Sequence, residues 1–106
     1  MESMFYYLLE NSFEAVDPEN PYIKISSISE PSFPGQIRVE IFNTGVPLRE
    51  EVIARVFSPF FSTKPMGTGF GLPIARLAAI KNFAKLSIKP VQGQGTKAVI
   101  MLPLAD

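Results

Sequence analysis

Two residue types that carry much of protein chemistry are missing from this sequence. It has no cysteine, which excludes disulfide staples and thiolate metal sites. It has no histidine, so it offers no catalytic imidazole, no imidazole metal ligand and no histidine to accept a phosphoryl group. An excess of either charge is also lacking: 10 basic and 10 acidic side chains cancel. A nucleic-acid partner or an acidic membrane surface would leave a basic footprint, and there is none. No run approaches the ~20 apolar residues of a spanning helix. The amino terminus lacks the basic segment and apolar core of a secretory signal. With 106 residues, 46% of them hydrophobic, the chain is expected to form one globular domain over residues 1–106, soluble and cytoplasmic.

No repeat or low-complexity tract interrupts the chain, and its periodicity gives a clear order of elements. From Ser3 to Val16, Phe5, Leu8, Leu9, Ser12, Ala15 and Val16 share one helical stripe. The segment DPENP stops that helix, because proline cannot continue it and constrains the residue before it. YIKISSI reads as a strand and EPSFPG as a turn. QIRVEIF alternates, with Ile37, Val39 and Ile41 on one face and Arg38 and Glu40 on the other. NTGVP breaks that strand, and LREEVIARVF reads as a short helix with acidic residues in its first turn. Gly71 to Phe83 is a helix that tolerates Pro73 near its start. AKLSIKP and TKAVIMLPL are strands around the turn VQGQG. The fold expected is α+β: a two-layer α/β sandwich with a mixed, mostly antiparallel sheet and helices on one face.

The stretch STKPMGTGFGLPIARL, residues 62–77, places Gly67, Gly69 and Gly71 at alternate positions before a helix. A helix start presents unpaired amide donors and a positive dipole end. Glycines in front of it let backbone approach a phosphate chain without an intruding Cβ. Lys64 adds a positive charge within reach. The competing reading is a flexible turn. The dinucleotide fingerprint, the phosphate loop of nucleotide triphosphatases and the protein-kinase glycine loop all need flanks that this sequence lacks.

GTGFGLPIA, preceded by FSPFFSTK, resembles the ATP-binding catalytic domain of sensor histidine kinases, within the ATPase family that includes gyrase B, Hsp90 and MutL. The resemblance covers about Phe5 to Pro103. LLENSFEA resembles the N box, NTGVP stands at the first glycine box, FSPFF resembles the F box, GTGFGL the second glycine box and GQGT the last glycine motif. Only Pro65 and Met66 separate FFSTK from GTG, a short lid similar to that of nitrogen-regulation and sporulation-type kinases. GLPIARL also resembles the mitochondrial dehydrogenase kinases.

The resemblance implies a Bergerat-type sandwich and a role for each motif. Asn11 would ligate Mg²⁺, a hard neutral oxygen ligand for an ion otherwise held by phosphate and water. Asn43 replaces the aspartate that reads adenine, Gly45 lets backbone approach the base, and Thr96 helps read the adenine edge. Lys64, Gly67, Thr68, Gly69, Gly71 and Leu72 would surround the ATP phosphates. Phe57, Phe60 and Phe61 would anchor the base of the lid. Tyr7, one turn before Asn11, stands where gyrase-like ATPases hold a catalytic glutamate, which speaks against water-activated hydrolysis. Pro47 departs from a second glycine.

These roles imply a domain that binds ATP and Mg²⁺ and presents the γ-phosphoryl to a histidine on a dimerisation domain of the same or a partner kinase, with a response regulator downstream. The parent kinase of such a domain is either soluble or membrane-anchored. Two alternatives stand beside this: a degenerate nucleotide-binding or docking module without kinase activity, and an ATPase of the gyrase, Hsp90 or MutL type. Family domains begin with a strand or two ahead of the N-box helix, so an exposed amino-terminal edge and a dimer through it are expected.

Overall fold

The computed structural model describes residues 2–29, 34–55 and 71–103. Its elements follow the order read from the periodicity: α1 (Glu2–Ala15), β1 (Ile23–Ile28), β2 (Gln36–Thr44), α2 (Glu50–Ile53), α3 (Gly71–Lys81), β3 (Lys85–Val91) and β4 (Gly95–Pro103). Two expectations shift. NTGVP does not break the second strand at its first residue, because Asn43 and Thr44 stay in the ladder opposite Thr96 and Gly95. LREEVIARVF yields only four helical residues, Glu50–Ile53, with Ala54 and Arg55 in a turn.

The four strands form one sheet in the order β1-β2-β4-β3, and every pairing is antiparallel. Residues directly opposite share a face, so the register defines the two sides. Val39, Ile41 and Asn43 of β2 stand beside Ile100, Ala98 and Thr96 of β4, and Ile88 and Leu86 of β3 continue the row. That face meets α1 and α3. Met4, Leu8 and Ser12 follow one another at four-residue intervals on α1 and are buried, as a single helical stripe requires. Ala75 and Ala79 are buried on α3, and their small side chains let α3 pack closely along α1. Met4, Leu8, Ile41 and Ile100 are the largest fully buried side chains, so the core lies between the two helices and the middle strands. On the opposite face Glu40 pairs with Arg38 at 2.7 Å and Lys97 at 3.6 Å. Among the described residues no helix is long and apolar enough to cross a membrane.

α3 ends in a left-handed residue that is not glycine. Ala84 N–H donates to the Ala79 carbonyl at 2.9 Å and Phe83 N–H to that of Ile80 at 3.1 Å, the paired bonds of a Schellman cap. Phe83 occupies the left-handed position with φ 58°, where a side chain costs about 1–2 kcal/mol. Its ring is 87% exposed and brings no compensating burial. Phe83→Gly is therefore expected to stabilise the domain by about 0.5–1 kcal/mol, after the larger unfolded-state entropy of glycine. A raised urea midpoint with unchanged slope is the result to look for; no rise would mean the exposed ring packs in solution.

Candidate functional site

The polar residues singled out in the sequence converge where β2 and β4 run out and the carboxyl end of α1 passes over them. Asn43 lies opposite Thr96 on the helix-facing side of the ladder, which puts the two side chains about 5 Å apart at their Cβ atoms. Asn43 is only 5% exposed, and its Nδ2 donates to the Thr44 carbonyl at 2.9 Å. That bond orients the amide and leaves Oδ1 as its acceptor. The Thr96 hydroxyl accepts a long bond of 3.4 Å from Leu48 N–H, so its own proton remains available to donate. An acceptor and a donor thus stand side by side at the end of a buried apolar row.

Gly45 follows directly, with φ 143°, and its N–H donates to the Gln94 carbonyl at 3.1 Å. A Cβ here would lie 2.7 Å from the Ala15 carbonyl oxygen, so glycine alone lets the β2 end tuck under α1. Asn11 precedes Ala15 by four residues and shares its side of the helix. It is half-buried, at the border of the stripe formed by Met4, Leu8 and Ser12. The fold therefore brings Asn43, Gly45 and Thr96 together and carries Asn11 to within about one helical turn of them. Gly71 opens α3 and Leu72 packs against the core. Lys64, Gly67, Thr68 and Gly69, with Phe57, Phe60 and Phe61, lie outside the described residues.

Thr44 is a residue that local reading passes over. Its N–H donates to the Tyr22 carbonyl at 3.0 Å and its carbonyl accepts from Asp17 N–H at 3.1 Å. Its hydroxyl donates to the Asn20 carbonyl at 2.7 Å and accepts from Tyr22 N–H at 3.1 Å. One threonine thus ties the whole 17–22 connection to the strand that carries Asn43. A hydroxyl between an asparagine and a glycine was the only sequence cue, and it does not reveal partners more than 20 residues away. Gly95 is the second such residue: a Cβ on it would overlap the Asn43 carbonyl oxygen and lie 3.0 Å from the Thr44 Cα.

Glu10 and Glu14 face solvent, as their helical angle predicts. The Tyr6 hydroxyl bonds to Glu10, whose carboxylate raises the phenol above its ordinary range. Tyr7 packs edge-on against Tyr6 with 5.1 Å between ring centroids. An apolar groove lined by Tyr6, Leu9, Glu10, Phe13 and Glu14 runs along the outer side of α1 and shares no residue with the Asn43–Thr96 cluster.

Comparison with known proteins matches this arrangement. The profile of the family described as histidine kinase-, DNA gyrase B- and HSP90-like ATPase spans residues 1–106. Sporulation kinase C of Bacillus subtilis is 31% identical over 104 residues, covering 98% of this chain and 23% of that protein. The sensor protein TdiS of Thauera aromatica is 29% identical over 106 residues, covering 98% of this chain and 19% of that protein. The chain thus spans less than a quarter of the length of these curated relatives. Among solved structures, the nucleotide-free catalytic domain of the histidine kinase ThkA superposes with a TM-score of 0.78 at 33% identity, over 94% of this chain and 63% of that one. The chain belongs to the histidine kinase-, DNA gyrase B- and HSP90-like ATPase family, as a homologue of the catalytic domains of its histidine kinases.

Proposed function

We propose that this domain binds ATP with Mg²⁺ and presents the γ-phosphoryl group to a histidine on a separate dimerisation and phosphoacceptor domain, with a response regulator as the next recipient. The Asn43–Thr96 pair carries this reading. An adenine edge offers an exocyclic amine that donates and a ring nitrogen that accepts. Asn43 Oδ1 supplies the acceptor, since its Nδ2 is committed to Thr44, and the Thr96 hydroxyl supplies the donor. Gly45 leaves the base room to approach the strand end. The phosphates then run toward Asn11 and the amino end of α3, where Gly71 and the following amides favour negative charge.

The donor set fits a magnesium ion that arrives with the nucleotide. Among the described residues no three carboxylate, cysteine or histidine side chains converge as a metal site. Asn11 would contribute one neutral oxygen, with phosphate and water supplying the rest. Bound there, the ion would neutralise charge that builds on the phosphates during transfer. The acceptor imidazole forms the new P–N bond as the bond from γ-phosphorus to the β-bridging oxygen breaks, and ADP leaves with that electron pair. Positioning and charge neutralisation account for most of such a transfer, so Tyr7 in place of a carboxylate is no obstacle. The whole kinase would work at the cytoplasmic side, whether soluble or anchored.

Calorimetric titration with ATP tests the reading. Binding is expected with Mg²⁺ and to weaken strongly in EDTA. Asn11→Ala should lower the affinity for ATP·Mg at least about tenfold, roughly 1.4 kcal/mol, while adenosine binding stays unchanged. A well-folded wild-type chain that gives no heat with ATP·Mg and no rise in melting temperature would favour a docking module instead. The replacement of the family's aspartate by Asn43 is the observation that favours this second reading.

A further inference from the structure

The sheet has two free edges, β1 and β3, and they differ in kind. β3 carries Lys85, Lys89 and Pro90, charges and a missing donor of the sort that blunt an edge against pairing. β1 has the sequence IKISSI, one charge and no proline. Its apolar side chains are poorly covered. Ile25 stands opposite Ile41 on the core face, yet Ile25 is 58% exposed where Ile41 is 1%. The reason is the layering: α1 packs on β2 and α3, and β1 packs chiefly on β2. The helix layer therefore stops short of the last strand.

The hydrogen-bond parity of β1 identifies what its outer side offers. Thr44 N–H donates to the Tyr22 carbonyl, so the groups of Tyr22 address β2. In an antiparallel ladder both polar groups of a residue point the same way and alternate residues reverse. Lys24, Ser26 and Ile28 accordingly address β2, and Ile23, Ile25 and Ser27 turn their N–H and C=O groups outward. The same parity turns Pro90 toward the free side of β3, where its missing donor costs nothing.

We infer that β1 is a self-pairing edge, through which a second copy of this chain joins antiparallel across a twofold axis perpendicular to the sheet. With Ile25 opposite the partner's Ile25, Ile23 meets the partner's Ser27 and every outward group of these three residues is paired. Both helix layers then lie on one side, and the two Ile25 side chains cover each other on the core face. On the other face, exposed Tyr22 meets the partner's Ile28, and Lys24 meets the partner's Ser26, so no like charges are opposed. A one-residue slip would set core-face side chains against solvent-face ones. This surface is independent of the nucleotide reading and shares no residue with Asn11, Asn43 or Thr96.

Sedimentation over a wide concentration range, with amide exchange read residue by residue, tests the pairing. The wild-type chain should dimerise, with slow exchange at Ile23, Ile25 and Ser27 that accelerates on dilution. Ser27→Pro removes an outward donor and should raise the dimer dissociation constant at least tenfold without loss of circular dichroism. Ile25→Lys, a charge on an exposed edge side chain, provides the same test should the proline disturb folding. A wild-type chain that remains monomeric near millimolar concentration overturns the proposal. So does a dimer that survives both substitutions, or one that dissociates instead on Phe13→Ser in the α1 groove.

Discussion

Gly95→Ala is expected to cost the domain about 3 kcal/mol or more, at the upper end of overpacking penalties. The added methyl would overlap the Asn43 carbonyl oxygen and press on the Thr44 Cα at 3.0 Å. All of these atoms are backbone in the middle of a ladder, so no side chain can swing away to make room. For a domain of this size that corresponds to a fall in melting temperature on the order of 15 °C. Gly93→Ala provides the comparison two residues earlier. Its φ of 75° disfavours a side chain, but nothing lies within 4 Å of the added Cβ, and about 1 kcal/mol is expected. A thermal melt of both variants by circular dichroism decides the matter; equal, small shifts would show that β2 and β4 separate readily at this end. The consequence reaches the site, because the strand segment that Gly95 lets approach is the one that carries Asn43.

Asn43→Asp should move stability and ligand affinity in opposite directions. In the free domain the Asn43 Nδ2 donates to the Thr44 carbonyl. A carboxylate has no proton for that bond and sets two acceptors against each other at a position 5% exposed. A loss of about 1–3 kcal/mol is expected without nucleotide. Toward adenine the same carboxylate is the stronger acceptor, since charge-assisted bonds are roughly twice as strong as neutral ones. A gain of about tenfold in ATP·Mg affinity, roughly 1.4 kcal/mol, follows. Denaturant melts of the free domain and calorimetry with ATP·Mg give the two signs separately. Affinity that falls along with stability would remove Asn43 from adenine recognition.

The contrast between these two positions shows where local reading stops. Asn43 drew attention through its motif, and its acceptor role follows from residue type. Its donor role, and hence the stability cost of the aspartate, depends on Thr44 folding back beneath it. Gly95 drew attention only as part of a turn-like GQGT, in which each glycine could serve the turn. Gly93, with its positive φ, does so. Gly95 serves the approach of two strands whose contacting residues are some 50 positions apart, and no window of the sequence contains both.

By itself the sequence determined the order of all seven elements, because amphipathic period and Pro/Gly punctuation are local properties. It also determined the apolar stripe of α1, the polar Asn11 at its border and the exposure of Glu10 and Glu14, since a helix fixes the angle between neighbours. Only the tertiary structure decided that β4 lies between β2 and β3, that Asn43 and Thr44 remain in the ladder, and that Thr44 holds the 17–22 connection. It alone set Asn43 against Thr96 and left Ile25 uncovered at the edge. Those facts rest on hydrogen bonds and contacts between distant residues. Their free energy depends on which surfaces meet, and the pattern of any one segment leaves that choice open.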